Sequence, residues 1–298
     1  MTIAWIFPGQ GSQKLGMADS IVDLNSASDR FEFASENLGR DLLAICNGTS
    51  QKENPFNDLN DTRNTQPAMF VVESLLVDEL KRQGREAAFV AGHSLGEISA
   101  LYASEVLDFQ SAFKLLKTRS ELMADSAKGS MTAVMGFERG NLEDLVAVTE
   151  GVVIANDNSS DQVVLSGKKT SIDLVTESTN AKRVIPLNVS GAFHSPFMEN
   201  ASKKFDIELE KVNFKDAIYS VFSNSEPTPT RNGELLKKRL KKQMTNGVRW
   251  REIMNNMKNE GVTRIIEIGP GKVLSGLAKR SKHDFLISQL SSASDLGY

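Results

Sequence analysis

The chain has 298 residues, a charged fraction of 24% and a formal net charge of −3 at pH 7. This balance excludes the basic excess of nucleic-acid-binding proteins, and no apolar run approaches the length of a membrane span. The single cysteine, Cys46, excludes an internal disulfide framework, and the three histidines form no ligand-spaced cluster. We therefore expect a cytoplasmic α/β protein without a targeting segment, a metal or another cofactor, and without a nucleic-acid or membrane partner.

The chain opens with a predicted buried strand, Ile3–Phe7, which leads into the glycine-rich loop Pro8–Gln13. The glycine spacing matches neither a dinucleotide-binding fingerprint nor a P-loop. The loop is thus either a backbone free to approach a ligand closely or a plain connection between elements. Helical patterns follow at 25–45 and from Thr65 onward, with Pro67 placed in the first turn. A polar, asparagine-rich loop at 51–64 separates them.

The strongest local signal lies at Ala87–Ala103, where a short apolar run, Gly92-His93-Ser94-Leu95-Gly96 and a helical pattern follow one another. A strand, a G-x-S-x-G turn and a helix are the layout of a nucleophile elbow. Gly92 and Gly96 lack a Cβ where the strand and the helix nearly touch. We therefore predict that Ser94 is a nucleophile, held above the positive end of the new helix.

A second helix is predicted over 109–126 with Asp108 as its N-cap, and Arg119 falls in the middle of its apolar stripe. A buried guanidinium needs a partner, because an unpaired buried charge costs several kcal/mol. That partner is a carboxylate from the protein or from a ligand, unless the aliphatic part of the side chain is buried and the guanidinium reaches solvent. Its place one helix after Ser94 makes a substrate carboxylate the sharper hypothesis.

From about Lys128 the predicted elements run strand, helix, strand, strand, helix, strand, which is the order of a ferredoxin-like unit. We expect this unit to be inserted in a larger α/β domain, since segments of the larger type resume afterwards. The predicted fold is therefore an α/β-hydrolase-like core with a mostly parallel sheet (residues 1–127 and 195–298) and an inserted βαββαβ subdomain (residues 128–194).

The chain returns from the insert through His194, which is the candidate base for Ser94. A serine hydroxyl needs a neighbouring group to take its proton, and histidine is the usual one near neutral pH. His93 adjoins Ser94 across a tight turn and should point away, and His283 lies in a basic segment. Further on, the basic run Lys237–Lys242 is either a solvated helix face or a docking surface for an acidic partner.

With these residues in hand, the chain resembles the malonyl-CoA:acyl carrier protein transacylase family over essentially its full length. The resemblance is carried by several spaced motifs in the right order, which is more specific than any one of them: FPGQGSQ (7–13), TQPA (65–68), GHSLGE (92–97), the helix of Arg119, GAFHSPFM (191–198) and EIGPGKVLSGL (267–277). Two loop positions depart from the family, since Gly247 stands in place of a proline and Ser160-Asp161 in place of Pro-Gly.

The resemblance implies roles for residues at the matched positions. Ser94 would carry the malonyl group, His194 would be the base, and Arg119 would bind the malonyl carboxylate. Backbone N–H groups of Gln10 and Leu95 would form the oxyanion hole. The matched positions also imply substrate-binding roles for Gln66 and for Gln243, whose backbone carbonyl would orient the histidine. The implied activity is malonyl transfer from malonyl-CoA to acyl carrier protein, which supplies fatty-acid synthesis.

Two other classes of protein stay open from the sequence. A serine esterase or thioesterase uses the same elbow but needs an acid between the serine and the histidine, for which Asp157 is the best candidate and a weak one. The second class is a non-catalytic module, which would bind acyl carrier protein but would not transfer an acyl group.

Overall fold

The computed structural model describes residues 1–50, 55–126, 128–189 and 191–297. Residues 51–54 of the predicted polar loop and residue 127 at the predicted domain boundary lie outside that description. The strands, in chain order, are β1 Ile3–Phe7, β2 Phe89–Gly92, β3 Ser130–Met135, β4 Val152–Ser159, β5 Gln162–Gly167, β6 Arg183–Pro186, β7 Ser220–Phe222, β8 Arg264–Ile268 and β9 Leu286–Leu290.

The α-helices are α1 Ala27–Leu38, α2 Leu42–Asn47, α3 Thr62–Arg82, α4 Gly96–Ala103, α5 Phe109–Asp125, α6 Arg139–Val148, α7 Lys169–Ser178, α8 Glu199–Glu210, α9 Gly233–Lys242, α10 Trp250–Asn259 and α11 Val273–Arg280. The helical pattern at 25–45 is therefore two helices, because Gly39 takes a left-handed conformation (φ 66°) that ends α1.

The larger sheet has five parallel strands in the order β7-β2-β1-β8-β9. Side chains of β1 alternate between its two faces. Trp5 and Phe7 belong to one buried apolar cluster, whereas Ala4 and Ile6 belong to another on the opposite face. Both faces of the central strand are thus buried, as expected of a parallel sheet covered by helices.

The smaller sheet is antiparallel, with the order β4-β5-β3-β6. Helices α6 and α7 cover one face of it, where Leu142, Ile172 and Val175 share a buried cluster with residues of β3 and β5. The element order and the central place of the first and third strands are those of a ferredoxin-like unit. The predicted fold class, a mostly parallel sheet plus a small antiparallel one, is confirmed.

Helix α3 starts three residues earlier than predicted. Asp61 is its N-cap, with a side chain that accepts from Arg63 N at 2.8 Å. Pro67 consequently lies in the second turn and has no N–H for the carbonyl of Arg63. Arg40 Nη2 donates to that carbonyl at 3.0 Å, which satisfies the oxygen that the proline leaves free.

Strand β4 of the small sheet is joined by main-chain hydrogen bonds to the loop between α9 and α10. Val248 N donates to Ala155 O at 2.8 Å, and Asp157 N donates to Val248 O at 2.9 Å. Val248 belongs to the loop between α9 and α10, which therefore continues the edge of the small sheet. None of the helices within the described ranges is long and apolar enough to cross a membrane.

Candidate active site

The elbow is built as the glycine spacing predicts. A Cβ on Gly92 would lie 1.8 Å from the carbonyl oxygen of Gly96, and a Cβ on Gly96 would lie 2.3 Å from Phe7 O. Ser94 takes φ 53°, a left-handed conformation that a serine adopts only where its surroundings hold it there. The turn thereby projects the Ser94 hydroxyl away from both β2 and α4.

Asn224, just after β7, holds this strained turn. Its Oδ1 accepts from Ser94 N at 2.7 Å, and its Nδ2 donates to Gly92 O at 2.6 Å. One fully buried amide therefore satisfies two backbone groups of the elbow.

His194 lies against the Ser94 hydroxyl, with Oγ and Nε2 2.8 Å apart. On its other side, His194 Nδ1 faces the carbonyl oxygens of Gln243 at 2.9 Å and Asn246 at 3.3 Å. Carbonyls only accept, so Nδ1 carries the proton and Nε2 is free to accept from the serine. Burial and the positive charge of Arg119 lower the pKa of His194 to about 3, so the imidazole is neutral.

Arg119 is fully buried beside this pair. Its Nη2 donates to Ser94 Oγ at 3.0 Å, its Nη1 to Gln66 Oε1 at 2.6 Å, and its Nε to Gln243 Oε1 at 3.1 Å. In the part of the chain that the structure describes, its hydrogen-bond partners are thus two amides and a hydroxyl, and none is a carboxylate. Burial lowers its pKa to about 10, while the charge of Glu97 acts in the opposite direction.

Gln243 lies behind Arg119 and His194 and contacts both. Its Nε2 donates to Ser94 O and to Glu97 Oε2, each at 2.8 Å. Asn224 N is a second donor to the Glu97 carboxyl. Burial raises the pKa of Glu97, and these hydrogen bonds act in the opposite direction. Gln243 thereby contacts both the base and the guanidinium, and its backbone carbonyl lies where the resemblance implied that it would orient the histidine.

A cavity of about 90 Å³ opens in front of these groups. Its walls come from helices α3 and α5, from strands β3 and β4 of the small sheet, and from loops: Gln10, Gln66, His93, Ser94, Leu95, Arg119, Met123, Met131, Asn156, Leu187, Val189, Phe193 and His194. The backbone N–H groups of Gln10 and Leu95 donate to no acceptor within the described residues. Six of the seven sequence-predicted site residues thus line one cavity, and Gln243 supports it from behind.

Three residues of the site escaped the sequence analysis: Asn224, Glu97 and Thr62. Glu97 falls inside the GHSLGE stretch, and a carboxylate on the apolar helix α4 was a signal for it. Asn224 has no local signal, because its partner Ser94 lies 130 positions away in sequence. The Thr62 hydroxyl accepts from Gln66, four residues later, and donates to Gln10, 52 positions earlier, so its link to the loop after β1 has no local signal.

Other candidates are engaged elsewhere. His93 Nε2 lies 2.9 Å from Asn158 Oδ1, so it points away from the serine as expected. Asp157, the candidate acid, forms ion pairs with Arg139 at 3.0 Å and Arg251 at 2.8 Å, whereas the Nδ1 atom of the base faces carbonyls.

Four of the five basic side chains of the run at 237–242 pair with neighbouring acidic residues, and Lys238 is exposed. Arg239 is buried against Glu226 and Thr228, which corrects its place in the candidate surface. Lys237 and Lys241 pair with Glu210 of α8, and Lys242 pairs with Glu226. Of the two interpretations, these pairs favour a solvated helix face, and a docking surface for an acidic partner stays a prediction.

A nucleophile elbow, a histidine oriented by a carbonyl and a buried arginine in one cavity define a serine-dependent acyl-transfer site. The chain belongs to the acyl transferase domain family, whose pattern matches residues 4–295. It is 43% identical to the malonyl CoA-acyl carrier protein transacylase of Synechocystis sp. over 99% of both chains, and the crystal structure of that protein superposes with a TM-score of 0.94.

Two further relatives carry polyketide descriptions. A polyketide biosynthesis malonyl CoA-acyl carrier protein transacylase of Bacillus subtilis is 37% identical, covering 95% of this chain and 98% of its own. A malonyl-transacylase solved in complex with a type II polyketide synthase acyl-carrier protein is 32% identical, with a TM-score of 0.91 over 99% of this chain and 98% of that one.

Proposed function

We propose that this chain is an acyl-carrier-protein S-malonyltransferase, which moves a malonyl group from malonyl-CoA to the pantetheine thiol of acyl carrier protein through a malonyl-Ser94 intermediate. One observation carries the proposal: a fully buried guanidinium, Arg119, touches the nucleophile and has no carboxylate among its hydrogen-bond partners in the described ranges. An acyl group that ends in a carboxylate supplies that partner at the reacting atom.

In the first half-reaction, His194 Nε2 takes the proton of Ser94 Oγ, which attacks the thioester carbonyl carbon. The N–H groups of Gln10 and Leu95 receive the negative oxygen of the tetrahedral intermediate. A donor of this kind contributes about 3–4 kcal/mol to such transition states. As the C–S bond breaks, His194 returns the proton to the departing CoA sulfur.

In the second half-reaction, the carrier thiol gives its proton to His194 and attacks the malonyl ester. Ser94 Oγ leaves and recovers the proton. Arg119 holds the malonyl carboxylate through both steps, selects acyl groups that carry one, and keeps the ester oriented for the thiol.

The contacts of His194 favour this transferase over a Ser-His-acid hydrolase. Its Nδ1 donates to the Gln243 carbonyl where a hydrolase triad places an acid, and Asp157 is held by two arginines. The third class, a non-catalytic carrier-binding module, makes a different prediction, since Ser94→Ala would then remove no activity.

Intact-mass spectrometry after mixing with malonyl-CoA tests the proposal. We expect one malonyl adduct per chain, mapped to Ser94, absent from Ser94→Ala, and discharged quickly by acyl carrier protein but slowly by water. Rapid discharge by water alone would indicate a hydrolase, and no adduct on a folded protein would indicate a binding module.

The same proposal extends to the setting of the reaction. We place the enzyme in the cytoplasm and assign it carriers of fatty-acid synthesis. The polyketide descriptions of two relatives make a polyketide carrier the second candidate. Comparison of kcat/KM for the two carriers separates these assignments. We also keep the division into residues 1–127 with 195–298 and residues 128–194 as a proposal, which limited proteolysis near its boundaries tests.

A further inference from the structure

A row of hydrogen bonds leads away from Arg119 along the start of α3. Arg119 Nη1 donates to Gln66 Oε1 at 2.6 Å, and Gln66 Nε2 donates to Thr62 Oγ1 at 2.8 Å. Thr62 Oγ1 in turn donates to Gln10 Oε1 at 2.8 Å. Every donor in the row points in the same direction, from the guanidinium toward the loop after β1, so each bond strengthens the next.

The Thr62 hydroxyl acts as both acceptor and donor in this row. Thr62 is buried, and its oxygen accepts one hydrogen bond and donates one. It is the first residue of α3, but the helix is capped by Asp61, whose carboxylate accepts from Arg63 N. The hydroxyl therefore has no capping task, and its two partners both line the active-site cavity.

The two ends of the row lie at different parts of the site. Arg119 touches Ser94 Oγ, and Gln10 presents to the cavity a backbone N–H that has no acceptor within the described residues. We propose that Thr62 is a positioning residue that fixes the Gln66 amide against Arg119 and the Gln10 side chain against α3. It thereby joins the carboxylate-binding end of the site to the oxyanion-binding end. This inference rests on the proposed function.

Loss of the hydroxyl has different consequences for different acyl groups. Among the residues that the structure describes, Gln66 Nε2 would keep only Met123 Sδ, at 3.5 Å, as an acceptor, so its amide could rotate and turn its NH₂ toward Arg119. Two donors that face each other would displace the guanidinium. The rate of malonyl transfer is therefore lowered by changes at both ends of the row, whereas the rate of acetyl transfer is lowered only by the change at the Gln10 end.

The test compares Thr62→Val, which keeps the shape of the side chain, with Thr62→Ser, which keeps the hydroxyl. The measurement is the rate constant for acylation of Ser94 by malonyl-CoA and by acetyl-CoA. We expect Thr62→Val to lower the malonyl-to-acetyl ratio about tenfold, in line with the cost of leaving a buried polar group unpaired. Thr62→Ser should stay within about twofold of the parent ratio, because it keeps both hydrogen bonds.

A double variant separates positioning from general damage. In an Arg119→Ala background, Thr62→Val should leave the ratio unchanged, because the guanidinium it positions is absent. An unchanged ratio in Thr62→Val alone, or an equal loss in Thr62→Ser, overturns the inference. Ser94 would still be malonylated in either case, so the proposed function would stand. Thr62→Ala provides the same comparison if thermal unfolding shows that the valine variant is not folded.

Discussion

Removal of the Arg119 guanidinium is the sharpest test of how the site selects its acyl group. In Arg119→Ala the malonyl carboxylate loses its cation, and the Oε1 atoms of Gln66 and Gln243 lose a donor. The second effect is the same for malonyl and acetyl substrates. The ratio of the two acylation rate constants therefore isolates the carboxylate interaction.

The structure sets the size of the expected change. A hydrogen bond to a charged group contributes about 1.5–3 kcal/mol, and the guanidinium can offer two to a carboxylate. Two such bonds amount to about 3–6 kcal/mol, and each 1.36 kcal/mol is a factor of ten in rate. We expect the malonyl-to-acetyl ratio to fall about 10²–10⁴-fold, because Arg119 is 0% exposed and its bonds to the carboxylate form away from bulk solvent.

Rapid-quench acylation with each CoA ester, read by intact mass, measures both rate constants. Arg119→Lys is the matched control, since it keeps a cation without the planar fork and should lose less of the ratio than alanine. A folded Arg119→Ala protein that acylates Ser94 with the parent malonyl-to-acetyl ratio would refute the reasoning.

Three further predictions follow from the geometry. The pKa of His194 is lowered to about 3, so kcat/KM for acylation should stay level as the pH falls through 6.5. Arg119→Ala removes a positive charge beside the imidazole and should move the acidic fall in kcat/KM to higher pH. A fall centred at pH 6.5 in the parent protein would contradict this. Asn224→Ala should slow acylation and destabilise the fold by about 1–3 kcal/mol, because two buried backbone groups lose their partner; thermal unfolding and rapid quench measure the two effects. Gly92→Ala should prevent stable folding, whereas Gly140→Ala, with no contact closer than 3.5 Å, should leave the melting temperature within a few degrees; equal melting temperatures would overturn the elbow packing.

The elements that the sequence predicted well are those with local causes. The elbow depends on glycines within a few residues of Ser94, and Asp108 caps α5 as predicted, by accepting from Ser111 N at 2.7 Å. The start of α3 was wrong because Pro67 is typical of a first turn. The proline leaves the Arg63 carbonyl without a donor from the helix, and Arg40 donates to it instead. Nothing in the sequence around Pro67 indicates this partner, because Arg40 is distant in sequence.

In the active site, too, features with local causes were predictable and features set by distant residues were not. The buried charge of Arg119 was predictable, because it interrupts an apolar stripe, but its partners were not. Gln66, Gln243 and Ser94 come from three other parts of the chain and meet it only in the folded protein. Two interpretations of the basic run stayed open for a related reason, since Glu210, which pairs with Lys237 and Lys241, belongs to another helix.

The main-chain bonds between Val248 and β4 constrain how substrate reaches the serine. The segment that bears Val248 also contributes the Gln243 and Asn246 carbonyls that aim the imidazole. A rotation of the antiparallel sheet away from the larger sheet would move that segment and displace the carbonyls that orient His194. The site therefore favours a narrow, extended substrate that reaches the serine without movement of the small sheet. A thioester at the end of a long flexible chain has that shape.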